Sequence, residues 1–147
     1  MTKIDNFFEI KNAENFLRID IQKIIYPNAE NEWDKSWLKS NIKFELGAFR
    51  GEFYSDIQIN DFLNFLEQLK IQNKQLKGKS SFNTREGQIE ISLIINNLGI
   101  VEVTYQLIDK VGTGNELNGA FVIDQTYLPT IIEELEIIKK KLSSISN

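Results

Sequence analysis

Seven carboxylates are placed along this chain where they could do chemistry: Asp20, Glu52, Asp56, Glu90, Glu102, Asp109 and Asp124. In pairs such groups serve as general acid and base, and in clusters they hold Mg²⁺. Most of the seven, however, fall at alternate positions of strand-like stretches, where a charge faces water and needs no special reason. Asp56 and Asp124 stand at equivalent strand-to-helix junctions. A carboxylate there accepts bonds from free backbone N–H groups, so a turn or cap role is the reading adopted for both. The chain has no histidine and no cysteine. That removes the commonest general base, the commonest metal ligand, and any thiolate site or disulfide. Gly112-x-Gly114 lacks the third glycine, the lysine and the following helix of a phosphate loop, and reads as a hairpin turn. The expectation is a protein that is not an enzyme, with no catalytic residue, no metal and no cofactor.

Binding chemistry is better supplied. Between Tyr26 and Leu38 the chain sets Trp33 and Trp37 beside Glu30, Glu32 and Asp34, in a linker that carries Pro27. Tryptophan and tyrosine are favoured anchors at protein interfaces, whereas Trp37 can equally serve as a plug over one end of a sheet. Glu30, Glu32, Trp33 and Asp34 are therefore the expected partner-binding residues. A second candidate is the wet face carrying Arg18, Asp20, Glu90 and Glu102. Net charge is −4 and the pI is about 5, which argues against nucleic acid and suits a basic partner. Lys139, Lys140 and Lys141 read as the solvated end of a helix. No run of eighteen apolar residues exists, and the opening Met-Thr-Lys-Ile-Asp-Asn has no apolar core of a signal peptide, so a cytoplasmic protein without a membrane segment is expected.

The elements that must position these residues follow from periodicity. Leu17, Ile19 and Ile21 alternate with Arg18, Asp20 and Gln22; Ile89, Ile91, Leu93 and Ile95 alternate with polar neighbours, and so do Val101, Val103, Tyr105 and Leu107. Phe44, Leu46, Phe49 and Phe53 mark a strand in which Gly47 sits at a slip of one residue, the sign of a bulge. A further strand is expected from Leu76 to Phe82. Phe62, Leu63, Leu66 and Leu69 make an apolar stripe at helical spacing, with Asn60 as N-cap, and Ile131, Ile132, Leu135 and Ile138 make a second. Gly119, Phe121 and Asp124 repeat the spacing of Gly51, Phe53 and Asp56. The echo is short enough that convergent patterning accounts for it as well as duplication does. The expected fold is α+β: one domain over residues 1–147, with two successive antiparallel β-meanders of about eight strands in all, as a sheet or sandwich. An amphipathic helix closes each meander. Phe53, Phe62, Leu66, Ile91, Val103, Phe121 and Leu135 are the expected shared core.

Taken in order, Tyr26-Pro27, Trp33-Asp34, Trp37-Leu38, Gly47-Ala48-Phe49-Arg50-Gly51-Glu52 and the Phe-x-x-Leu-x-x-Leu form beginning at Phe62 resemble the WapI family of bacterial immunity proteins. So do Gly112-x-Gly114-Asn115-Glu116-Leu117 and Asp124-Gln125-Thr126-Tyr127-Leu128. The resemblance implies a small cytosolic protein that binds and neutralises the toxic C-terminal domain of a secreted polymorphic toxin, a tRNase in the namesake system. It brings no catalytic residues. The alternative is a small-molecule-binding or structural α+β module in which the acidic balance has no partner.

Overall fold

The computed structural model describes residues 6–145, so the Met1–Asp5 stretch read above for a leader lies outside the described residues. β1 (Asn6–Lys11), β2 (Asn15–Ile24), β3 (Trp37–Leu46) and β4 (Phe49–Gln58) form one antiparallel sheet in chain order. β5 (Gly78–Asn83), β6 (Ile89–Ile95), β7 (Ile100–Ile108) and β8 (Glu116–Asp124) form a second of the same order. A helical turn, α1 (Glu32–Lys35), interrupts the β2–β3 connection, α2 (Ile59–Gln75) follows the first sheet, and α3 (Leu128–Ile145) follows the second. This is the α+β pattern of two meanders and two long helices that alternation and helical spacing predict.

Each long helix packs along the first strand of the other sheet: α2 lies along β5, and α3 along β1. The inner faces of both sheets and the stripes of both helices share one apolar cluster, which includes all seven expected core residues. At its centre Phe8, Phe62, Phe65 and Phe82 meet with ring centroids 5.4–6.1 Å apart. Edge-to-face and tilted aromatic contacts at these distances add to the gain from burial itself.

The helices also finish the sheets. β1 and β5 are edge strands, whose outward N–H and C=O groups must find partners or stay open to another chain. On β5, the single side chain of Gln68 stands in for a neighbouring strand: its Oε1 accepts from the Ser81 N–H at 2.9 Å, and its Nε2 donates to the Ser81 carbonyl at 3.2 Å. On β1 two side chains of the α3 region share the task. Glu134 Oε1 accepts from the Glu9 N–H at 3.1 Å, and the Tyr127 hydroxyl donates to the Glu9 carbonyl at 3.0 Å.

The Gly-x-Phe echo has a packing reason. Phe44 lies opposite Gly51, and Tyr105 lies opposite Gly119. A Cβ at Gly51 would come within 2.7 Å of the Phe44 ring, and one at Gly119 within 2.6 Å of the Tyr105 ring. In each sheet the aromatic thus covers the glycine on the neighbouring strand, and its ring reaches the phenylalanine two residues on, Phe53 or Phe121.

Three boundaries differ from expectation. Gly47 is no bulge. With φ +64° it occupies the first position of the two-residue turn that joins β3 to β4, so the single slipped strand is two strands. The register irregularity of this sheet lies instead between Ile21 and Lys23 on β2. Gln58, not Asn60, is the N-cap of α2, and its N–H donates to the Asp61 carboxylate at 3.3 Å. Leu76 is the left-handed C-cap of that helix, with φ 54°, and β5 begins only at Gly78.

Candidate partner-binding surface

The β2–β3 connection is built from its two ends inward. Ile25 N–H donates to the Trp37 carbonyl at 3.1 Å and closes the base. Pro27 has no N–H to continue the ladder, and Ala29 N–H turns back to the Tyr26 carbonyl. Asn31 then caps α1: its Oδ1 accepts from the Asp34 N–H at 2.7 Å, and its Nδ2 donates to the Asp34 carboxylate at 2.9 Å. The Ile59 N–H donates to the Ser36 carbonyl at 2.9 Å and ties the far end to the start of α2.

This scaffold sets out the four expected residues as follows. Glu30 and Glu32 are exposed, and Asp34 is half-buried beside its cap. Trp33 is 49% exposed, but its ring has two partners. Its ring meets Trp37 edge-on with centroids 5.9 Å apart, and the Arg85 guanidinium lies 4.7 Å from its centroid. The two tryptophans therefore brace the connection against the β5–β6 turn.

Beneath the connection runs a cleft of about 680 Å³, walled by Tyr26, Pro27 and Trp37 and carrying Asp34, Asp56 and Glu86. Asp56 comes from the free edge strand β4, and Glu86 from the turn between β5 and β6. Pattern reading missed this convergence, because the three carboxylates are distant in sequence and only the folded sheet brings them together. The one available signal was the length of the β2–β3 connection, since a long ordered loop in a compact fold usually has a use.

The other candidates separate. Asp124 is a cap: its carboxylate accepts from the Thr126 N–H at 2.9 Å and from the Thr126 hydroxyl at 2.7 Å, and these bonds hold it below the usual carboxylate range. Asp56 caps nothing, contrary to expectation, since the ladder runs past it to Gln58. Asp109 accepts from the Asn115 N–H at 2.7 Å and organises the β7–β8 loop. Arg18 and Asp20 lie on the first sheet, Glu90 and Glu102 on the second, so they do not form one face. Arg18 pairs with Glu9 at 3.2 Å and covers the Phe7 ring. Lys141 Nζ donates to the Asn6 side chain at 2.7 Å, so the last lysine of the basic run has a structural duty. At the β1 edge, burial raises Glu134 above the ordinary carboxylate range, and burial together with Glu134 and Glu9 pushes the Tyr127 hydroxyl up. Among the described residues no group of three or more Asp and Glu side chains is arranged to hold a metal ion, and no helix is long and apolar enough to cross a membrane.

The fold has a solved counterpart. The structure of the plant transcriptional regulator PBF-2 superposes with a TM-score of 0.53 over 94% of this chain and 82% of that one, at 8% sequence identity. At that identity the likeness speaks for the architecture alone. No curated protein matches the sequence. A family model described as the immunity protein WapI-like family matches residues 7–142, from β1 to the last turns of α3. The chain therefore belongs to the WapI-like immunity protein family.

Proposed function

We propose that this protein binds the toxic C-terminal domain of a cognate secreted polymorphic toxin and neutralises it in the cytoplasm of the cell that makes it. The observation that carries this reading is the family match across residues 7–142. The charge supports a particular kind of toxin. A protein of net charge −4 is drawn to a basic surface, such as that of a nuclease or tRNase domain. Such an inhibitor need not enter an active site, because covering the path of the RNA is enough. The contact surface in this reading centres on Glu30, Glu32, Trp33 and Asp34. Glu32, Trp33 and Asp34 stand on a braced helical turn and Glu30 just before its cap, which gives them rigidity at low ordering cost.

The test is coexpression with the C-terminal domain of whichever polymorphic toxin is encoded beside this protein. Copurification and rescue of growth are the expected results, and failure of both would end the immunity reading. Reversing Glu30, Glu32 and Asp34 to lysine should slow association roughly tenfold, as expected when steering charges change sign. Added salt should slow the wild type toward the same rate. The melting temperature should stay nearly unchanged, because Asn31 still accepts the N–H of residue 34 and the one bond lost, from Asn31 Nδ2 to the Asp34 carboxylate, is solvent-exposed. Wild-type association by the triple variant would move the contact away from α1.

A further inference from the structure

We infer that the cleft beneath the β2–β3 connection receives an arginine side chain of the toxin domain, held between aromatic walls and carboxylates. This rests on the immunity reading for its occupant, and on the cleft itself for its chemistry. Tyr26 and Trp37 line the cleft, and aromatic rings suit a planar guanidinium better than a compact ammonium. Asp34, Asp56 and Glu86 reach the same cleft from three separate segments, and no lysine or arginine lines it. Among the described residues none of the three carboxylates forms an ion pair. Two neighbouring cations each lie over an aromatic ring outside the lining. Arg85 lies over Trp33, and Lys39, which faces Asp56 across the ladder, lies 4.8 Å from the Tyr54 centroid. A lining with three carboxylates and no cation of its own favours a cation arriving from outside. Arg85 on Trp33 shows the same recognition chemistry made internally at the rim.

The second half of the molecule supplies an internal control. Its β6–β7 connection spans only residues 96–99, and the equivalent aspartate, Asp124, is consumed as a cap. Trp37 pairs with Gln58 and carries the β3–β4 ladder two residues past Asp56, whereas the β7–β8 ladder stops at Ile100 and Asp124. The connection that builds the cleft thus also withdraws Asp56 from capping and leaves it facing the cleft.

The first experiment uses N-acetylarginine amide as probe against the isotope-labelled full chain. Saturable shifts at the Trp37 indole N–H are expected, with a Kd on the order of millimolar. N-acetylcitrulline amide, nearly the same shape without the charge, should give none, and Asp56→Asn with Glu86→Gln should abolish the arginine response at unchanged melting temperature. Equal shifts from citrulline, or an undiminished response in the variant, would overturn the inference. The second experiment measures the same double variant against the toxin domain identified by coexpression, where a loss of affinity of roughly tenfold or more is expected. Wild-type affinity in the variant would overturn the cleft while leaving the immunity reading in place. If the wild type itself does not bind the domain, the occupant falls together with the immunity reading.

Discussion

The two halves of this protein follow one plan as far as their edges and part company at their connections. The clamps on β1 and β5 fix the correspondence: Ser81 answers to Glu9, and Gln68 to Glu134. By that alignment Leu69 corresponds to Leu135. The buried pair Gln72–Ser80, bonded at 2.6 Å, takes the place held in the other half by Ile138 and Phe8. Similar backbones are thus sealed by different chemistry. The β2–β3 connection, residues 25–36, has no counterpart of its size at residues 96–99. What is common to the halves holds the fold, and what is added to one of them supplies a surface.

The comparison is broken most directly in the core. Leu69 and Leu135 are each at most 1% exposed, and truncation of either to alanine should destabilise by about 2–5 kcal/mol, the sum of lost transfer energy and residual cavity. Urea unfolding with unchanged m-value measures it. If the halves are equivalent the two losses should be close. A loss at Leu135 well below that at Leu69 would show that the α2 side, with Phe62, Phe65 and Phe82, dominates the cluster.

Next in size is the aspartate pair. Asp124→Ala should lower the unfolding midpoint at neutral pH, and Asp56→Ala should leave it unmoved, since Asp56 caps no helix. The sign against pH is set by the bonds from Thr126, which depress the Asp124 pKa below 3.8 in the folded state. Its contribution is therefore present above the unfolded value and disappears as pH falls through the folded one. The difference between wild type and Asp124→Ala should accordingly close in strong acid. Equal losses at both aspartates would mean that the echo extends to their roles.

Much of this plan was legible in the residues, and the misreadings share a cause. Clean alternation in β6 and β7 and the two helical stripes lead directly to their elements. Gly47 misleads because a two-residue turn and a bulge leave the same mark, a slip of one in a period of two. Asp56 misleads because its spacing from Gly51 and Phe53 matches that of Asp124. Its fate depends on the Trp37–Gln58 pair, which is a contact between strands and not a local pattern. Likewise the four expected contact residues share a legible stretch, while Asp56 and Glu86 join Asp34 only through the fold. The immunity reading comes from the ordered motifs, and no single spacing carries it.

The smallest effect is the most specific test of the edge clamps. Glu134 performs with Tyr127 what Gln68 performs alone, and does so carrying a charge. Burial raises its pKa, the bond from the Glu9 N–H opposes that, and the Glu9 carboxylate reinforces it. An acid whose folded pKa is raised contributes stability below its unfolded value, near 4.5, and loses it as pH climbs through the folded value. Glutamine at this position keeps an oxygen to accept the Glu9 N–H and has no such loss. It also gives up the attraction of Lys11 and Arg18, so the net change at neutral pH should stay within about 1 kcal/mol once solvent screening is counted. Glu134→Gln should therefore show a flatter stability profile just above pH 4.5, with the amide of Glu9 as protected from hydrogen exchange as in the wild type. Loss of that protection would mean that the edge of β1 needs a carboxylate, and that the two clamps are not interchangeable.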